Sequence, residues 1–320
     1  MTQTDQNVQP GRARPPDTIK AVPVRHPGRW LAVAVLALLT AMFVHMLVTN
    51  KAFQWSFLFD NAFRPPVVEG VWTTVKLTVL AMIIGIALGI AFAVMRLSPN
   101  PILRGAAWLY TWFFRAVPRL VLAILFGNMA ILYQRVRFGF PFDRQLAAAL
   151  GIDINGTIFS IDARTFLVGF MAGLLALALS EGAYMAEIVR AGILSVSPGQ
   201  NEAAQALGMS RMLTMRRIVL PQAMRVIVPP TGNETIAMLK DTSLVAFVPV
   251  TNELFFRLEA IGSRTFQVFP MLVAACIWYL LLTSVLLVAQ YFIERYFARG
   301  TASGNAGMRL RVLGGAGGEH

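Results

Sequence analysis

The sequence predicts an all-α integral membrane protein with about six transmembrane helices. Three observations carry that prediction. Of 320 residues, 56% are hydrophobic and only 14% charged, with a mean hydropathy of +0.61, whereas soluble domains carry about 25% charged residues. The apolar residues gather in runs near the ~20 residues that a helix needs to cross the hydrocarbon core. Basic residues also favour alternate connecting segments, as membrane insertion requires.

Six spans are expected, over 30–48, 71–95, 106–133, 165–189, 224–249 and 269–292. Ahead of the first lies a tail, residues 1–29, rich in Pro and Arg and without apolar periodicity; such a segment is expected to be disordered. The tail is long and basic, and VTNKAFQ after the span lacks a small-x-small cleavage site, so residues 30–67 read as an uncleaved anchor helix with an outer loop. The second and fourth spans each carry two glycines four apart, Gly85 with Gly89 and Gly169 with Gly173. Each pair puts a slim stripe on one helix face, suited either to a subunit interface or to packing within the chain. The segment 134–164 holds the turn signals FGFPFDR and GIDINGT, which fit a short surface helix or a hairpin. Cys276, the single cysteine, excludes an internal disulfide and a cysteine metal site, and is expected to be a buried small residue. The glycine-rich tail 296–320 is expected to be flexible.

With the amino terminus inside, segments 1–29, 96–105, 190–225 and 295–311 hold sixteen Lys and Arg, against eight in 51–64, 135–164 and 257–264. That imbalance places both termini in the cytoplasm, and it explains the net charge of +12 without nucleic acid. It also puts NEAAQALGMSRMLTMRRIVLP, residues 201–221, in the cytoplasm.

The stretch is amphipathic and punctuated. Ser197 suits an N-cap, Pro198 the first helical position, and Gln200 the far end of a capping box. Ala203, Ala206 and Leu207 share a face mostly of methyl groups, and Gly208 suits the terminator position. Ser210 can cap a second helix through Ile218 that Leu220 and Pro221 join to span five. A slim face of this kind can seat in another protein's groove, with the neighbouring methionines adapting to it. Arg211, Arg216 and Arg217 can reach anionic lipid headgroups. A DNA-reading helix-turn-helix shares the pattern, but needs a free domain. About a dozen residues separate the motif from the preceding span, so a duplex with a groove ~12 Å wide would meet the bilayer.

These residues carry a resemblance. Glu202-Ala203-Ala204, then Gly208, then Ile218-Val219-Leu220-Pro221 look like the EAA loop of permease subunits in bacterial ATP-binding-cassette (ABC) importers. The runs AYMAEIVRAGILSVSPGQNEAAQALG, LPQAMRVIVPP and LKDTSLV resemble the polar amino acid branch of that family, for histidine, glutamine, glutamate and arginine. The likeness spans 68–295 and implies a five-helix type I importer core, to which the first span adds a helix. It implies a coupling helix at about 198–208, with Gln200, Glu202, Ala203, Ala204, Leu207 and Gly208 meeting the ATPase. Implied partners are ABC ATPase subunits, a second permease subunit (identical or paralogous), a periplasmic or lipid-anchored amino acid binding protein, and membrane lipids. The family commonly reads Phe-Arg-Gly-Thr-Pro-Leu where FFRAVPRL stands at 113–120, so Arg119 adds a charge.

The chain is not expected to be an enzyme. It lacks any Gly-Lys dipeptide and hence a phosphate-cradling loop, and it has no HExxH; ATP is expected to be bound by a partner, with no cofactor or metal here. Charges at the bilayer centre cost about 2.5–3.5 kcal/mol each on insertion scales and normally face protein or water. In span five Pro229-Pro230-Thr231-Gly232 predicts a break or kink. Beyond it, Asn233 with Lys240 and Glu234 with Asp241 are seven apart on shared faces. Lys240 could meet the carboxylate of an amino acid, and Glu234 or Glu181 its ammonium, as polar groups on discontinuous helices do in transporters. The competing expectation is that Lys240, Asp241, Glu187 and Arg190 form ion pairs that hold the bundle together. Arg115 reads as structural or as part of an inner gate. Two other function classes remain open from the residues alone: a secondary carrier, which would transport without an ATPase, and the membrane-tethered DNA binder, whose loop would show salt-sensitive duplex affinity.

Overall fold

A computed structural model describes residues 27–297 except 133, 140–144, 146–147, 150, 152–156, 163, 165–168 and 249–251. The expected tails over 1–29 and 296–320 therefore lie almost wholly outside the described residues. The chain divides into two compact units, Met1–Lys51 and Ala52–His320. In the first, α1 (Pro27–Thr49) is a single apolar helix.

In the second unit, α2 (Trp55–Ala62) precedes α3 (Pro65–Leu97). Asn100 caps α4 (Pro101–Ala116), its Oδ1 accepting from Ile102 N at 2.9 Å. Pro118 then interposes extended backbone, and α5 (Arg119–Gly127) leaves at 98° to α4. The span expected over 106–133 is thus two helices, because Pro118 removes a donor and its ring disfavours a helical conformation in Val117 before it. A one-turn helix, α6 (Met129–Leu132), follows. Within the 134–164 segment the described residues include two paired strands and helical positions at 145, 148 and 149. β1 (Arg135–Gly139) pairs antiparallel with β2 (Thr157–Asp162), Arg135 opposite Asp162.

The long helix α7 (Phe170–Leu194) touches α3, α4, α5 and, later in the chain, α10 (Leu220–Asp241). Between them lie α8 (Pro198–Ala206), α9 (Arg211–Thr214) and a wider π-helical turn, Met215–Val219. A 3₁₀ segment, Thr242–Phe247, closes α10; α11 (Leu254–Thr265) and α12 (Val268–Phe297) complete the chain.

By length and composition four described helices can cross a membrane, namely α1, α3, α7 and α12, or five if α4 and α5 count as one bent span. The expected sixth, over 224–249, ends as an α-helix at Asp241. Four charged side chains, Arg225, Glu234, Lys240 and Asp241, keep α10 from qualifying on apolarity.

The predicted break at Pro229-Pro230 does not occur: α10 is continuous through both prolines. The φ that proline fixes is itself helical, and contacts with α7 and α12 hold the segment. The irregularity lies earlier, where Leu220 N reaches back to Met215 O. That wider turn immediately precedes Pro221, whose ring would otherwise crowd the carbonyl of Arg217.

Lipid tails are as apolar as leucine, so helices in a membrane associate through close van der Waals contact rather than water exclusion. The α3–α7 pair uses the predicted glycine stripe for this. A Cβ on Gly85 would lie 2.6 Å from Glu181 Cγ, and one on Gly89 2.4 Å from Met185 Cβ and 3.0 Å from Ala186 N. Gly173 meets Val245 in the same way. Gly85, Gly89 and Gly173 thus pack within the chain, whereas Gly169 stands ahead of α7 at φ +59° and does not share a helix face with Gly173.

A separate core joins Leu58 and Ala62 of α2 to Leu254, Leu258 and Met271, with Trp278 Nε1 donating to Ala62 O at 2.9 Å. Cys276, expected to be buried, is exposed. The packed face of α12 runs through Met271, Ala274, Ala275 and Trp278, and Cys276 falls off that i, i+3, i+4, i+7 stripe on a face that lipid can cover.

One substitution at two sites checks the close contact. Gly89→Ala should lower the thermal midpoint of the detergent-purified protein, reflecting about 1–3 kcal/mol of overpacking. Gly105→Ala, where a Cβ meets open space, should leave it equal or higher.

Candidate functional site

Two regions concentrate polar chemistry. The first lies where α5, α7 and α10 meet. Arg119 is the first residue of α5, Glu181 and Tyr184 are one turn apart on α7, and Glu234 and Asp241 are two turns apart on α10. One Arg119 terminal nitrogen reaches Glu181 Oε2 at 3.0 Å and Glu234 Oε2 at 3.4 Å; the other reaches Asp241 Oδ2 at 2.5 Å. The guanidinium also lies 4.8 Å from the centroid of the Tyr184 ring, a cation–π distance. Glu181 is fully buried and the Arg119 side chain is 11% exposed, whereas Glu234 and Asp241 retain 25% and 33%. The cage therefore has a closed floor and an open rim. Gly85 sets that floor, since only a residue without a side chain lets α3 lie against Glu181. Glu181 Oε1 is buried with no hydrogen-bond partner among the described residues. Three carboxylates face one cation, leaving two negative charges in excess if all are ionised.

Tyr184 is shared with a cleft of about 370 Å³ lined by Arg96, Trp108, Trp112, Arg115 and Glu187, within the size range of small-molecule sites. Arg115 stands 5.5 Å from the Tyr184 ring centroid. Glu187 bridges Arg190 at 2.7 Å and Arg96 at 3.3 Å, tying α7 to α3.

The structure thus brings together Glu181, Glu234 and Asp241 from the predicted set and separates the other two. Asn233 accepts from Gln290 Nε2 of α12 at 2.9 Å. Lys240 is exposed and, among the described residues, has no ion pair. Of the four residues expected to form ion pairs, Asp241, Glu187 and Arg190 do so; Lys240 points the other way because α10 turns the 233/240 face off the 234/241 face.

Arg119 was legible only as an added charge, an arginine directly after Pro118. Glu253 gave less warning. It caps α11 through Phe255 N at 2.7 Å and accepts from Thr74, Thr242 and Tyr279, joining α3, α11 and α12.

The second region is α8 with its following turn. Gln200, Glu202, Ala203, Leu207 and Gly208 are exposed, Leu207 by 81%, while Ala204 is buried against the chain itself. Of the predicted coupling set, then, Ala204 supports the helix from behind. The capping box is absent: Ser197 makes no side-chain cap, and Gln200 N bonds instead to the Ser197 carbonyl at 3.0 Å. Gly208 holds φ +73°, the left-handed conformation that terminates helices. Ser210 does cap α9, accepting from Leu213 N at 3.4 Å. Met212 is also uncovered, at 77% exposure.

Comparison with known proteins bears on the chain as a whole. The family model described as binding-protein-dependent transport system inner membrane component matches residues 85–298. The arginine transport system permease protein ArgU of Corynebacterium glutamicum is 42% identical, over 97% of this chain and 93% of that protein. Among solved structures, a chain from the crystal structure of an amino acid ABC transporter with histidines is 33% identical. It covers 72% of this chain and 94% of its own length, with a TM-score of 0.57. A chain of the inward-facing MetNI methionine ABC transporter shares the fold at 18% identity and a TM-score of 0.51, over 73% and 97% of the two chains.

Removing Arg119 strands the three carboxylates, and breaking a buried ion pair from one side costs about 3–5 kcal/mol. Arg119→Leu should therefore lower the thermal midpoint in lipid nanodiscs strongly. Adding Glu181→Leu should recover most of the loss, because the buried charge is then gone as well.

Proposed function

Because the chain belongs to the family of binding-protein-dependent transport system inner membrane components, and is a permease subunit of an ABC importer, we propose that it carries cationic amino acids and couples their passage to ATP through α8. Two permease subunits, identical or paralogous, enclose the pathway. Two cytoplasmic ATPase subunits hold the α8 helices, and an external binding protein delivers cargo to the side bearing the β1–β2 hairpin. ATP is bound by the ATPases, and both termini of this chain face the cytoplasm.

The observation that carries the coupling reading is the exposed apolar face of Leu207 beside Ala203 and Gly208. Among the described residues it covers nothing, yet it belongs to a short helix held by a buried Ala204, which suits a knob seated in a partner's groove. ATP-driven closure of the partners would move such knobs together as rigid bodies.

Cationic cargo is favoured by the cage. Glu181, Glu234 and Asp241 outnumber Arg119, and the relative at 42% identity bears the name of an arginine transport system. We assign the cargo's α-carboxylate to Lys240 outside the cage, since Lys240 is exposed and turned off the face that carries Asp241.

Glu202→Arg and Leu207→Asp alter exposed positions and should leave folding within about 0.5 kcal/mol. Each should weaken ATPase association at least about tenfold, as loss of an interface anchor does, and abolish cargo-stimulated ATP turnover; intact association and turnover would refute the coupling reading. Lys240→Met should raise the KM for uptake in the assembled complex without changing its thermal midpoint; an unchanged KM would remove Lys240 from the pathway.

A further inference from the structure

We infer that Arg119 is a tethered stand-in for cargo: its guanidinium fills the carboxylate cage in the unloaded protein, and the cationic side chain of a transported amino acid displaces it. This rests on the reading of the chain as an importer of cationic amino acids.

The cage has the parts that recognise a guanidinium and few that a structural clamp would need. Arg119 meets carboxylates of three different residues through its two terminal nitrogens, and Tyr184 lies against it within cation–π distance. Charge-assisted contacts and aromatic stacking are what select arginine at recognition sites. A permanent clamp is best served by balanced charge, since uncompensated buried charge is penalised. Here three carboxylates share one cation, and Glu181 Oε1 meets no donor among the described residues. The unused capacity matches a ligand with more donors than Arg119 delivers from its position.

The tether is also placed to let go. Arg119 opens α5 directly after the extended Pro118, at the 98° turn from α4; its backbone sits at a corner rather than inside a helix. Half-buried Glu234 and Asp241 form the rim, and the cleft on Arg96, Trp108 and Arg115 reaches the same Tyr184. An arriving guanidinium or ammonium can take the rim carboxylates first and then exchange with Arg119 at Glu181. A neutral amino acid lacks the charge to compete, so Arg119 also sets specificity.

The test uses the complex of this chain with its ATPase in lipid nanodiscs, without binding protein, and equilibrium binding of radiolabelled arginine, lysine and glutamine. Arg119→Ala should tighten arginine and lysine binding at least about tenfold and leave glutamine unchanged. Its lowered thermal midpoint should recover in millimolar guanidinium chloride but not in potassium chloride of equal ionic strength. If the variant assembles only when purified with guanidinium present, the proposal is upheld in that form. Unchanged or weaker arginine binding, an equal gain for glutamine, or destabilisation that guanidinium does not reverse would each overturn it. A wild-type complex whose ATP turnover ignores every cationic amino acid delivered by a binding protein would instead refute the cargo reading on which it rests.

Discussion

A charge taken out of water must find its opposite, and in this protein that demand is met at one point, the guanidinium of Arg119. In this structure its contacts with Glu181, Glu234 and Asp241 hold α5 against α7 and α10, a hold that the inferred exchange passes to the cargo's cation. None of the three carboxylates could occupy its position alone, because the desolvation penalty of a lone buried charge amounts to several kcal/mol. The rotation of α7 and α10 about their axes is therefore tied to the place where α5 begins. Pro118 decides that place by ending α4 and turning the chain. The break in the third span is what delivers the arginine to the carboxylates.

The rest of the bundle protects this arrangement by contact rather than by hydrophobic exclusion. Gly85 and Gly89 bring α3 onto α7 directly over Glu181 and Met185, so the buried carboxylate has a rigid neighbour and no space to withdraw into. Glu253 does a similar task further along, where one carboxylate gathers hydroxyls of Thr74, Thr242 and Tyr279 while capping α11. The two buried carboxylates differ in kind. Glu253 is saturated by neutral donors and serves architecture, while Glu181 depends on a cation and keeps an oxygen unused.

The α8 region follows the opposite rule. Its helix is short and polar and leaves Leu207 and Met212 in the open, a combination that serves association better than self-packing. The π-helical turn at Met215–Val219 runs straight on into α10, and α10 carries Glu234 and Asp241. A displacement of α8 passes through the turn at residues 207–210 into the helix that carries two of the three cage carboxylates; on the proposed reading, that route links the partner-facing helix to the charged interior.

Much of this was legible in the residues. Long apolar runs, glycines four apart and the left-handed terminator Gly208 follow from local chemistry, because hydrophobic length, side-chain size and φ preference belong to a residue and its near neighbours. The seven-residue spacing of Glu234 and Asp241 likewise put both on one face before any partner was known. Other features needed the fold. Lys240 and Asp241 are adjacent in sequence yet turn to different surroundings; Ala204 faces inward while Ala203 faces out; Cys276 lies outside the packed stripe of α12; and Pro229-Pro230 leaves α10 whole while Pro118 breaks the preceding span. Above all, Arg119 lies 62 residues from Glu181 and 122 from Asp241. Sequence determined which charges must be compensated, since burial in apolar runs is a local property. Only the tertiary structure decided which of them meet, because pairing depends on how separate helices are rotated and how closely they approach.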